Sequence, residues 1–572
     1  MSNAPRTMLI LAFITLFMLA LVTACESSNQ TTTQTTTLTI TISRQPTTTA
    51  SPMVIVPDAP AVTPAGAPLK PLCTTCHGSM ASPTSGGSDI VSMIDSGPHI
   101  VHDCTQCHTP GNHPGNPTVI KPVTNLSATL CGGCHPDQYT SFMTINLNSS
   151  ARIEKGTPTG AAPLLDKLLA GHGFTVEHNK PRSHAFMLID QTIVDRSYGG
   201  RFSLANWQGI LSTGSVWDIM VDNGEGFASY PGTAKAANPV CVTCKTTDHI
   251  LEWAYLGEEN PNADWARTSV ATDFVKSIDS PSMGCIMCHD PHTTSHRIVR
   301  DALIEATENN GTFPYMDDDG ASLVQTEVIT FRDYRKIALL DAPESNVLCA
   351  QCHVEYSCNP GTNPVTSEAI TLSDARTNQF PWVNVFDLQA YYDTLQFRDF
   401  THAITGAKLV KLQHPDAETH FNSTHQLAGV QCSDCHMPKM QNAAGETYTS
   451  HWQASPRNFL DKTCLTCHTE WTAEEAEYRI NAIQDYTRGK TRNAEYWLER
   501  LIDTFVTAKQ AGVSESVLNE ARQHHEAAHI YWEWWTAENS YGFHNPEMAR
   551  ESLALSVEAS KAGIAVLETA MR

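Results

Sequence analysis

Cationic side chains are scarce in this sequence: 37 Lys and Arg stand against 60 Asp and Glu over 572 residues, a formal charge of −23. That balance repels polyanions and excludes a nucleic-acid partner. Long apolar runs are also missing. The single extended one, residues 8–22, covers fifteen residues, short of the roughly twenty a transmembrane helix needs. Charge itself is nearly absent from residues 26–70, where Thr, Ser and Pro dominate. Such a stretch cannot bury a core and reads as a flexible stalk. Cysteine outside one repeated spacing is rare. Sixteen of the eighteen cysteines fall in eight C-x-x-C pairs, leaving Cys25 and Cys358. No disulfide framework is called for.

What is present is that spacing. Seven pairs continue into histidine: Cys73, Cys76 and His77; Cys104, Cys107 and His108; Cys131, Cys134 and His135; Cys285, Cys288 and His289; Cys349, Cys352 and His353; Cys432, Cys435 and His436; Cys464, Cys467 and His468. A lone C-x-x-C can be half a zinc site, but C-x-x-C-H is the attachment signature of a c-type haem, with two thioethers and an axial imidazole. The fourth pair in order, Cys241 and Cys244, is followed by Lys245. A primary amine ligates a metal only in its neutral form, and the site needs no second protein ligand. Its open coordination position suits a substrate. The local sequence leaves one alternative, in which Lys245 is a surface residue and His249 supplies the ligand. The reading is eight covalent haems, seven carrying electrons and one spending them. Haem propionates add to the negative charge, so an anionic substrate would need cationic groups along its route.

The chain divides into five stretches. Residues 1–25 read as a secretory signal, with Arg6, the apolar run and then Val22-Thr23-Ala24-Cys25, which resembles a lipobox. Cys25 is then the lipidated mature N-terminus, and the protein is exported, periplasmic or tethered to the outer face of the cytoplasmic membrane. Residues 26–70 are the stalk. Residues 71–180 hold three haem sites among Gly, Pro and Asn, with His99, His102 and His113 as the nearest candidates for distal ligands and His172 and His178 in reserve. Residues 181–470 carry the lysine site and four more. Residues 471–572 change character: helical periodicity runs from 471 to Gly512, restarts at Ser514 through His525, His529, Trp532 and Trp535, and a last helix spans 547–570. The expected fold is mainly α with little β, a haem-packed core and long C-terminal helices.

From about 181 to 546 the chain resembles the ammonia-forming cytochrome c nitrite reductases. The matching features, in order, are the C-x-x-C-K site, Cys288-His289-Asp290-Pro291-His292, Cys352-His353-Val354-Glu355-Tyr356, Lys411-x-Gln413-His414-Pro415, Cys435-His436-Met437-Pro438-Lys439 and Gly542-Phe543-His544-Asn545-Pro546. Three haem sites precede the lysine site, which is similar to the octahaem members. The resemblance implies a catalytic pocket of Lys245, Arg196, Tyr356 and His414 with Gln413 beside them. It implies a calcium site from Glu355, Tyr356, the Lys411 carbonyl and Gln413, since oxygen donors suit this hard cation. It also implies a thioether between Tyr356 and Cys358, and distal haem ligation by His184, His425, His451 and His544.

The implied activity is six-electron reduction of nitrite to ammonium, fed by a quinol oxidoreductase or a small cytochrome, in a homo-oligomer built through the C-terminal helices. Two alternatives compete. One is another octahaem enzyme acting on hydroxylamine, sulfite or tetrathionate. The other is a non-enzymatic surface electron conduit, which would require histidine pairs at all eight haems and does not explain Lys245.

Overall fold

The computed structural model describes residues 73, 90–95, 97–109, 111, 123–144, 163–172, 184–187, 244, 245, 247, 283–308, 324, 326–331, 335–357, 360–371 and 373–572. The expected signal and stalk, and Cys25, Cys76, His77, His113, His178, Arg196, Cys241, His249 and Cys358, lie outside them. Among the described residues no helix is long and apolar enough to cross a membrane.

Three helices dominate the C-terminal end: Ala473–Gln510, Glu515–Ala537 and Pro546–Met571. The first opens on a capping box, Thr472 accepting from the Glu475 amide and Glu475 reaching back to the Thr472 amide. Its apolar positions at helical spacing, Leu498, Leu501, Ile502 and Phe505, are all fully buried. Gly542 turns the chain into the last helix. Its φ is +80°, and a Cβ there would lie 2.5 Å from Thr487 Oγ1, so both backbone and space require glycine. The last helix presents Ser552, Ser556, Ser560 and Gly563 at near-fourfold spacing, all buried or close to it. A Cβ on Gly563 would come within 2.9 Å of Leu501. Small residues thus let the helices approach, and their hydroxyls serve as partners: Trp535 Nε1 donates to Ser552 at 2.7 Å and Ser556 to the Ala528 carbonyl at 2.7 Å.

The strands are few and short. One three-stranded antiparallel sheet has Arg335–Leu340 between Arg297–Ile298 and Thr326–Phe331, with Ala338 opposite both Ile298 and Val328. Its edge is tied to the sixth attachment site, because Gln351 Oε1 accepts from the Val299 amide at 2.8 Å. Short hairpins complete the strand content of the described residues.

The six attachment motifs that lie wholly among the described residues are helical turns. In four of them the histidine amide donates to the carbonyl of the first cysteine: His135 to Cys131 at 2.9 Å, His289 to Cys285 at 3.0 Å, His353 to Cys349 at 3.0 Å and His468 to Cys464 at 2.9 Å. One helical turn puts both cysteines on one face and the imidazole beyond them. The C-x-x-C-H spacing is the sequence form of that turn.

Candidate functional site

Two segments zip together to make the site. The Gln413 amide donates to Glu355 Oε2 at 2.7 Å, the Glu355 amide to Glu418 Oε1 at 3.1 Å and the Ala417 amide to the His353 carbonyl at 2.9 Å. His353 Nδ1 lies 3.1 Å from Asp416 Oδ2. The sixth attachment site and Tyr356 are thereby laid beside the turn that carries Gln413 and His414. The second long C-terminal helix fixes that turn from behind. Glu533 accepts from the Leu412 amide at 3.2 Å and pairs with Lys411 Nζ at 3.1 Å, and Trp534 Nε1 donates to Thr419 at 2.8 Å.

Lys245 and Cys244 are buried against this arrangement. The Cys244 thiol lies beside that of Cys352, which, together with burial, pushes the Cys352 thiol far up. Fully buried Arg300 is a further member that sequence reasoning missed. Its guanidinium sits 5.0 Å from the centre of the Phe380 ring, which in turn stacks on Tyr356 with centroids 5.5 Å apart. Burial works against its charge, but Cys244, Cys352, Asp301 and Tyr356 together outweigh it and raise its pKa. No motif surrounds this arginine in the sequence, so only the fold reveals it. The structure therefore brings together Lys245, Tyr356, Gln413 and the turn bearing His414, while Arg196 and Cys358 lie outside the described residues.

The residues expected to hold calcium fit a hard cation. Glu355 is fully buried, and burial with the nearby Glu418 carboxylate pushes its carboxyl far above the usual range. Glu418 is held at about 8 mainly by burial, and its Oε2 has no hydrogen-bond partner. The Lys411 amine points away to Glu533 and the Leu412 carbonyl, while its own carbonyl faces the Gln413 amide group at 3.3 Å. The Glu355 carboxylate and the Lys411 carbonyl thus both meet amide groups of Gln413 in one buried spot, and oxygen donors of these residues suit a hard cation.

The attachment histidines fit haem. Two imidazoles on opposite faces of one iron have ring centres about 6 Å apart, given metal–nitrogen bonds of about 2 Å. His353 and His184 are 6.0 Å apart, His289 and His451 6.3 Å, His436 and His544 6.3 Å, and His468 and His425 6.5 Å. Among these, Nδ1 of His436 meets the Ala454 carbonyl at 3.0 Å, Nδ1 of His451 the Thr449 carbonyl at 2.9 Å and Nδ1 of His544 Glu538 at 2.9 Å. Such contacts fix a ring with its Nε2 toward a metal. Burial lowers His289 and His436 to about 4, so both keep the neutral form that ligation requires.

Residues 218–572 match the family model described as Cytochrome c552. The cytochrome c nitrite reductase subunit NrfA of Nitratidesulfovibrio vulgaris is 28% identical over 449 residues, which cover 75% of this chain and 72% of that protein. A cytochrome c-552 of Aliarcobacter butzleri is 29% identical over 420 residues, covering 71% and 70%. The solved catalytic subunit (NrfA) of the cytochrome c nitrite reductase from Desulfovibrio desulfuricans superposes with a TM-score of 0.58 at 24% identity, over 78% of this chain and 86% of that one. With its mainly α, multihaem fold, the chain belongs to the cytochrome c552 family.

Proposed function

We propose that the chain is an oxidoreductase that reduces nitrite to ammonium at the haem held by Cys241, Cys244 and Lys245. One observation supports this most. In the single motif with lysine in place of histidine, Cys244 and Lys245 are buried against the sixth attachment site, near Arg300 and Tyr356. Haems at the eight motifs would store and pass electrons, and the lysine-linked one would offer iron to the substrate. The overall change is NO2− + 8 H+ + 6 e− → NH4+ + 2 H2O.

What falls to the side chains is anion binding and proton supply. Arg300, and Arg196 by resemblance, offset the cost of desolvating an anion in a chain of formal charge −23. His414 and Tyr356 are the proton donors, and a Tyr356–Cys358 thioether would alter the phenol's acidity. Calcium at Glu355, Tyr356, Lys411 and Gln413 would stiffen the turn that carries His414. Export with lipidation at Cys25, a membrane-side electron donor and homo-oligomerisation complete the reading.

Anaerobic turnover with a reduced dye tests it. Ammonium should appear in equal amount to nitrite consumed, with six electrons of dye oxidised per nitrite. Absence of turnover, or a product other than ammonium, overturns the assignment.

A further inference from the structure

The three N-terminal attachment sites are expected to draw distal ligands from their own segment, yet the structure sets a histidine from elsewhere against one of them. The His108 and His292 rings have centres 6.2 Å apart and planes within 7° of each other. Parallel rings in contact look different here: His468 and Trp471 stack at 3.8 Å. The larger separation falls within the 6.0–6.5 Å found at the four pairs containing His184, His451, His544 and His425. Those four partners follow from resemblance and not from distance. Separation alone does not single out a pair, since His525 and His529 on one helix are also 6.3 Å apart, and the orientation of the two rings adds to it.

We propose that His292, three residues beyond His289 of the fifth attachment site, is the distal ligand of the second haem, and that its segment clips the three-haem region onto the rest of the protein. The inference rests on the haem-attachment reading and not on nitrite as substrate. The first ring is oriented for it, and the second lies near a buried carboxylate. His108 Nδ1 lies 2.9 Å from Thr124 Oγ1, directing Nε2 as the ligating atom. His292 Nδ1 is 3.8 Å from Asp290 Oδ1. Asp290 is itself buried, accepts from the His292 and Thr293 amides at 2.9 Å each and pairs with Arg297 at 3.0 Å.

The neighbouring residue makes a second grip. His99 Nδ1 donates to the Pro291 carbonyl at 2.8 Å, which leaves Nε2 as the lone-pair nitrogen, and the His99 ring stands 6.4 Å from that of His135. His99 is thereby the distal ligand of the third haem, steered by the same tight turn. The two backbones also run close, since a Cβ on Gly97 would meet the His292 carbonyl oxygen at 3.2 Å. Residues 291 and 292 thus serve two haems of a segment nearly two hundred residues upstream.

The test is spectroscopic, on the full haem-loaded protein. In His292→Gln, intact mass should still give eight haems, since the thioethers do not involve this residue. Electron paramagnetic resonance should show one low-spin haem replaced by a high-spin one, and added imidazole should restore it. His292→Met should keep the centre low-spin, raise its potential and add a sulfur-to-iron charge-transfer band, because methionine favours the reduced state. His296→Gln is the control. Its ring lies 4.6 Å from His289, too near for iron between them, and spin content should not change. Unaltered low-spin content in His292→Gln, or a Met variant with neither new band nor raised potential, overturns the proposal. A mass without haem at these sites would instead defeat the attachment reading beneath it.

Discussion

Asp416 Oδ2 accepts from His353 Nδ1 at 3.1 Å, while Asp416 Oδ1 lies 3.7 Å from His544 Nδ1. One carboxylate therefore faces the axial imidazoles proposed for two neighbouring haems. Burial would push this acid up, but the hydrogen bond and charge of His353, then His544 and the Asn539 amide, hold it below the usual carboxylate range. A charged partner on Nδ1 makes an imidazole a stronger donor to iron and favours the oxidised metal. Asp416→Asn keeps the size and removes the charge. Two of the low-spin haems should then titrate at higher potential in spectroelectrochemistry, with haem number unchanged. Identical potentials in the variant would show that Asp416 only packs.

Lys245→His would give the fourth site the same signature as the other seven. The haem should still attach, as intact mass will show, because both cysteines remain. Nitrite turnover should fall by at least about tenfold, the lower end for changes around a metal ligand. Full activity in this variant would remove the reason for singling out the fourth site.

One source of acid sensitivity lies elsewhere, where His402 meets His525 of the second C-terminal helix. His402 and His525 are fully buried, 4.9 Å apart, and share Thr405, whose Oγ1 lies 3.2 Å from His402 Nδ1 and 3.0 Å from His525 Nδ1. Burial lowers His402 to about 4 and His525 well below its usual value, each repelled further by a neighbouring histidine. The folded form therefore holds fewer protons than the unfolded one below the unfolded pKa near 6.5. This pair's contribution to stability is complete above about pH 6.5 and declines as pH falls toward 4, by on the order of 3 kcal/mol for His402 alone. Melting temperature against pH should show this decline. His525→Gln should flatten it while lowering the melting temperature at pH 7, and an equally steep curve in the variant would place the acid sensitivity elsewhere.

The parts legible in the sequence are those written locally. Thioether chemistry demands two cysteines and a ligand on one helical turn, so the attachment sites are visible at once. Leu498, Leu501 and Phe505 reveal their helix because period and burial coincide. The first and last of the three helices begin and end within two residues of the reading, while the second stops at Ala537, short of the Gly542-to-Pro546 run expected to end it. Pairings across the chain are not written locally. Nothing near His108 points to His292, since the partner is chosen by the path of the chain. Arg300 has no signal beyond its own identity, because its environment is assembled from Phe380, Cys244 and Cys352. The joining of Glu355 to Gln413 was accessible through resemblance alone.

His414 sits half-buried on the turn whose two flanks are tied down, by the Gln413 amide to Glu355 on one side and by Asp416 to His353 on the other. Its carbonyl accepts from the Asp416 amide at 2.7 Å, and Pro415 restricts its backbone further. A ring on so fixed a backbone is suited to deliver a proton to one place. His414→Asn should keep all eight haems and their ligation, because no attachment motif or proposed axial pair includes it. Nitrite reduction should fall by about 10²–10⁴-fold, the range for losing a positioned acid. Hydroxylamine, which arrives with one N–O bond already broken, should lose less. If His414 were instead an axial ligand of a nearby haem, the same variant would convert a low-spin centre to high-spin. Unchanged low-spin content with lost nitrite turnover establishes the proton-donor role, and a new high-spin signal removes it.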